Sequence, residues 1–117
     1  MIINVVEDFT DTPGARYKTQ GSFSGEEFRD KILYPKFIKA LKENEILTVN
    51  LDGGYGYGSS FLEETFGGLV RRLRKEKNPN YKKVLDIIII SNDNKTWHEK
   101  IKAYIESAIV APLKGGK

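Results

Sequence analysis

Short runs of β-branched and apolar residues alternate with longer stretches of helical periodicity, and this alternation constrains the fold more than any other feature of the sequence. Residues 46–51 and 86–91 read as buried-type strands. Between them, Phe61, Leu62, Phe66, Leu69, Val70 and Leu73 recur at the spacing of one helix face, which predicts a helix over 60–75. Strands joined through a helix run parallel and cross over with a right hand. The centre of the chain is therefore a β-α-β unit, and the rest has to be built around it.

Residues 2–6 are apolar and β-branched and predict a first strand. The turn signal Asp11-Thr12-Pro13-Gly14 then predicts that residues 16–19 return as a second strand, in an opening hairpin. Ser24 followed by Glu27 is a capping-box pattern, and Phe28, Ile32, Leu33, Phe37 and Leu41 continue it as a helix. Pro35 falls inside that helix and is expected to kink or split it, because proline lacks the donor and clashes with the preceding turn. A last helix is predicted over 95–109, with Trp97, Ile101, Tyr104, Ile105 and Ala108 on one face, ended by Pro112 and Gly115-Gly116. The expected fold is a single α/β layered domain over 1–117, a mixed sheet with helices in the order β-β-α-β-α-β-α. Residues 76–81 are the only plausible linker.

At 117 residues the chain suits one core. It has no cysteine, which excludes disulfides, thiolate metal sites and cysteine nucleophiles, and suits a reducing compartment. Its start reads as a strand and not as a leader, and the longest apolar run, 87–90, is far short of a membrane span, so a soluble cytoplasmic protein is expected. Net charge is +3, from 19 basic and 16 acidic side chains, so the overall field is weak. Positive charge gathers locally at Arg71, Arg72, Arg74, Lys75 and Lys77, with Lys82 and Lys83 soon after. Cations at a helix carboxyl end explain this run better than a nucleic-acid patch does.

The segment that invites chemistry is 51–70, where a strand's carboxyl end passes into a helix start, the place where open α/β sheets bind ligands. Gly53, Gly54, Gly56 and Gly58 admit unusual backbone conformations, and free amides at the helix start favour an anion near Ser59, Ser60 and Phe61. The phosphate-loop pattern fails, since Ser59 stands where its lysine belongs. The dinucleotide fingerprint fails as well, because Ser59 also occupies the place of its third glycine. Ser60 with Glu63 makes a second Ser-x-x-Glu cap. The competing reading is a phosphorylation switch at Ser60, which would add about −1.5 to −2 charges beside the helix start. Asp52 at the strand end is open to three readings: a cation ligand, a hydrogen-bonded loop anchor, or a solvated turn. Gly67-Gly68 is read as letting the helix lie close to the sheet. The adjacent pair Glu63-Glu64 is expected to diverge and so to make no acid–base pair. His98 is read as a surface helix residue, and two readings are open for Arg16 and Arg29: ordinary ion pairing, which is preferred, or reaching the glycine loop. No catalytic residue, metal site or cofactor is indicated, and the chain is not expected to be an enzyme.

Several segments together resemble the STAS-like family named domain of unknown function 4325: Gly14-Ala15-Arg16-Tyr17, Ser24-Gly25-Glu26-Glu27-Phe28-Arg29, Leu33-Tyr34-Pro35, and above all the run from Leu51 to Arg71. The resemblance implies a STAS-like fold and a regulatory, protein-binding role. The wider STAS family includes the anti-sigma-factor antagonists, which carry an Asp-Ser-Ser-Gly motif at a helix start and are phosphorylated on the second serine. Laid on this sequence, the motif implies Ser60 as phosphoacceptor, the exposed helix start as partner surface and a histidine-kinase-like ATPase as partner. Gly58 stands at the motif's aspartate and Phe61 at its glycine, a departure that bears on kinase recognition more than on fold. The alternative from another class is a small-anion or nucleotide sensor using the loop from Gly53 to Ser60.

Overall fold

Three short parallel strands, β1 (Ile2–Asn4), β2 (Thr48–Asn50) and β3 (Ile88–Ile90), form one sheet in the order β1-β2-β3. The computed structural model describes residues 1–113, and Gly115-Gly116 lie outside them. Ile2, Thr48 and Ile88 stand side by side, as do Ile3, Val49 and Ile89. The second row faces the core, with Ile3 and Val49 fully buried. The first row faces out, leaving Ile2 50% and Ile88 48% exposed.

The helices cover the inner row. A single turn, α1 (Val5–Asp8), follows β1 directly. The helix α2 covers residues 25–43 in three joined parts, an α turn Gly25–Phe28, a π turn Arg29–Leu33 and an α-helix Tyr34–Glu43. The helix α3 repeats this plan over residues 59–75, with Ser59–Leu62, a π turn Glu63–Gly67 and Gly68–Lys75. α4 is Thr96–Val110 and packs on the π turn and last turns of α3. Two 3₁₀ turns, Lys18–Gln20 and Tyr81–Asp86, complete the elements.

Two expectations are corrected here. The sheet is wholly parallel and not mixed, and no opening hairpin forms, so the order is not β-β-α-β-α-β-α. The carbonyls of Ala15 and Arg16 accept from the amides of Gly25 and Glu26, at 2.9 and 3.0 Å, so that this segment serves the start of α2 and not a strand ladder. Pro35 does not split its helix. It is the second residue after the π turn, in which Tyr34 N donates to Arg29 O, and the wider turn accommodates the donor that proline lacks.

The core stripe of α3 is buried as its spacing predicts, and Phe28 stacks on Phe61 with centroids 6.2 Å apart. The starts of α2 and α3 touch. A Cβ on Gly25 would lie 2.5 Å from the carbonyl oxygen of Phe61, so glycine is required there for the approach. Thr65 seals the contact from inside, its buried hydroxyl donating to Phe61 O at 2.8 Å.

Candidate functional site

The carboxyl ends of β2 and β3 are tied together by Asp52. Its Oδ1 accepts from Asp93 N at 2.9 Å and its Oδ2 from Asn92 Nδ2 at 3.0 Å, while Gly53 N donates back to Asp93 at 2.8 Å. Of the three readings open for Asp52, the geometry is that of a loop anchor. Gly53 and Gly56 have φ of 98° and 121°, in the left-handed region that side chains rarely adopt. Tyr57 pins the far end of the loop, donating to Leu51 O at 3.0 Å and meeting Trp97 edge-on with centroids 4.9 Å apart. Burial, with Asp52 and Asp93 nearby, pushes the Tyr57 phenol well above its ordinary pKa and keeps that donor protonated.

The loop therefore uses part of its own donor set. Gly53 N is taken by Asp93, and Tyr55 N donates to Asp11 O at 3.2 Å. The free donors lie further on, at the start of α3. There Gly58 is the N-cap, with no side-chain cap, and Ser59 and Ser60 are the first two helical residues, both exposed. Among the described residues the amides of Ser59, Ser60 and Phe61 have no acceptor. The capping box expected for Ser60 does not form. Its hydroxyl makes no hydrogen bond among the described residues, and Glu63, which should close the box, faces elsewhere. A cleft of about 480 Å³ separates this helix start from residues 14–17, with Arg16 and Tyr17 on the opposite wall.

Glu63 and Glu64 form the second constellation, and they converge where divergence was expected. Glu63 accepts from Arg71 at 2.6 and 3.1 Å and pairs closely with Arg16. Glu64, only 7% exposed, pairs closely with Arg29 and shares Arg16 at 3.3 Å and Arg71 at 3.4 Å. The π turn that begins at Glu63, together with arginines arriving from three segments, gathers two long side chains that a simple helix would send apart. Burial opposes ionisation of Glu63, but hydrogen bonds from Arg71 and Arg16 outweigh it and hold the carboxyl below its ordinary range. Asp30 follows the same pattern, burial being outweighed by Arg29 and Lys18.

Gly67 and Gly68 belong to this cluster and not to a helix–sheet contact. A Cβ on Gly68 would lie 2.7 Å from Arg29 Nη1 and 3.0 Å from Glu64 Oε2, and one on Gly67 would strike the carboxylate of Glu63. Each mid-helix glycine costs about 1 kcal/mol relative to alanine, so the pair marks a place where the helix gives way to the ions.

The basic run at the end of α3 is largely engaged. Arg72 pairs with Asp30 and Glu76 and lies 3.5 Å above the Tyr34 ring, while Arg74 donates to Ala108 O and Ala111 O at 2.7 and 2.6 Å, capping α4. His98 is exposed on α4, as its position in the sequence suggests. Among the described residues no group of three or more histidine or acidic side chains is placed to hold a metal ion, and no helix is long and apolar enough to cross a membrane.

A family model, the STAS-like domain of unknown function (DUF4325), matches residues 24–96. The chain belongs to this STAS-like family. The match contains α2, β2, the glycine loop, α3 and β3, and it begins after Gly14-Ala15-Arg16-Tyr17, so Arg16 joins the cluster from outside the matched segment. No curated protein and no solved structure matches the chain.

Sequence reasoning did not find the Arg–Glu cluster. Ion pairing by Arg16 and Arg29 was anticipated but not their meeting at Glu63 and Glu64, for which the unread signal was Gly67-Gly68 inside a helix that otherwise has strong apolar spacing.

Proposed function

We propose that this STAS-like domain is a non-enzymatic cytoplasmic regulator that binds a partner protein through the start of α3 and is released by phosphorylation of Ser60. The observation that carries the reading is the free Ser60 hydroxyl. It is exposed beside three unpartnered amides, and the capping role that would otherwise explain a serine here is not filled by it. A phosphoryl group transferred from ATP to Oγ would place about −1.5 to −2 charges against those amides, facing Arg16 across the cleft. The added bulk and charge alter the surface offered to a partner, for which a histidine-kinase-like ATPase is the class the family resemblance implies.

Affinity purification from native cells with wild type, Ser60→Ala and Ser60→Asp, joined to phosphopeptide mapping, tests this. The expected result is a partner kept by wild type and Ser60→Ala, lost with Ser60→Asp, and phosphate on Ser60. Binding indifferent to both substitutions, with no phosphate under any growth condition, would overturn it.

The same three amides favour a second reading, a small-anion or nucleotide sensor. The loop from Gly53 to Ser60 would then bind through Ser59, Ser60 and Phe61, since the Gly53 amide is already engaged. Thermal stabilisation by a nucleotide or phosphate, abolished by Ser60→Asp, would select that reading.

A further inference from the structure

The helix α3 carries two destabilising features in adjacent turns, a π turn and a pair of glycines, and both serve to seat Glu63, Glu64 and their arginines. Holding two helices together does not require this. Apolar side chains of similar volume pack as well as or better than a buried ion cluster, which adds little net stability. Such a cluster is better explained by what its outer surface can bind.

That surface is a cleft of about 390 Å³ between α2 and α3, lined by Arg16, Arg29, Arg71, Arg72 and Lys75, with Glu64 the acid among the lining side chains. The carboxylates occupy Nη1 of Arg16, Nε and Nη1 of Arg29, both Nη atoms of Arg71, and Nε and Nη1 of Arg72. Nη2 of Arg16, Arg29 and Arg72 and the ammonium of Lys75 have no acceptor among the described residues. Ion pairs on one side and the Tyr34 ring beneath Arg72 fix the guanidinium planes in advance. Fixed forks with unused donors match the oxygens of a phosphate group, and a lysine at the rim adds a point charge.

We propose that this cleft binds the dianionic phosphate group of a small phosphorylated ligand, at a site that shares the Arg16 wall with the cleft at the start of α3 but none of the α3 amides. Inorganic phosphate is the probe, titrated into the whole chain by NMR or calorimetry at pH 7.5 and low salt, with acetate as a monoanion control. Saturable binding of phosphate and not of acetate is expected. Arg72→Gln and Lys75→Glu should each weaken it about tenfold, the loss of roughly one charge-assisted contact. Lys100→Glu, an equal charge change on an exposed residue of α4, should leave affinity unchanged, and Ser60→Asp, which meets this cleft only across the shared Arg16 and Tyr17, should weaken it less than either cleft variant. Thermal melts of each variant confirm that it folds. Absence of saturable binding, or equal weakening by Lys100→Glu, would overturn the proposal. Loss of binding in Ser60→Asp would overturn it differently, by moving the anion to the start of α3.

Discussion

At the start of α2, Ser24 Oγ accepts from Glu27 N at 3.0 Å, Glu27 reaches back to Phe23 N at 3.1 Å, and the carbonyls of Ala15 and Arg16 take the first two helical amides. At the start of α3 the same Ser-x-x-Glu spelling, Ser60 to Glu63, produces none of this. The glutamate is drawn to Arg16 and Arg71, the serine hydroxyl is left without a partner, and the amides of Ser59, Ser60 and Phe61 stay open. One signature thus gives a closed helix end and an open one, and what separates them is register: Ser24 is itself the N-cap of α2, whereas Gly58 caps α3 and Ser60 lies inside its first turn. A capping box needs its serine at the N-cap, and at α3 the glutamate is also held by two arginines.

Breaking the ion cluster at its buried member should produce the largest effect. Glu64→Ala leaves Arg29 with Asp30 as its one remaining carboxylate in a poorly solvated place, and the expected loss is about 2 kcal/mol in urea denaturation. A loss below about 1 kcal/mol would mean the cluster behaves as a solvated surface network.

The two serines come next. Ser24→Ala should cost about 1 kcal/mol, the usual value of a side-chain cap. Ser60→Ala should stay within about 0.5 kcal/mol, as for a surface site without such a role. Equal losses from the two would show that both helix starts are capped alike in solution, and the contrast would collapse.

The smallest effect is a slope. Because the folded pKa of Glu63 is depressed, its contribution is present above the unfolded value of about 4.3 and is lost as pH falls through the folded value. Glu63→Gln should flatten the acid limb of a melting-temperature-against-pH curve below about pH 5, leaving the neutral plateau's shape unchanged. Superimposable acid limbs would show that the arginines do not hold Glu63 in its charged form.

The comparison also explains what was legible in the sequence. Apolar runs and periodicity placed the three long helices and all three strands, because apolar spacing and burial are the same fact seen twice. Ser24 was readable as a cap because its partners lie within the next turn. Residues 14–17 were not readable as a brace for α2, since a turn signal followed by mixed residues fits a returning strand equally well until α2 is there to claim the carbonyls. The π turns have no spelling of their own. Pro35 hinted at the first and Gly67-Gly68 at the second, but only contacts between distant segments say what the wider turns are for. At the loop the glycines were visible, whereas the Asp52–Asp93 exchange needed β3 beside β2.

β2 is the middle strand of the sheet, and both of its neighbours reach it only across an intervening helix. Pairings between such distant segments carry the loop-closure penalty before any ladder bond repays it, which slows folding. During synthesis β1 leaves the ribosome first and must wait, its ladder unmade, until Thr48–Asn50 follows. The α2 segment, with Ser24 and residues 14–17 at hand, can be shaped in that interval. β3, the last of the three strands in the chain, is the one that completes the sheet.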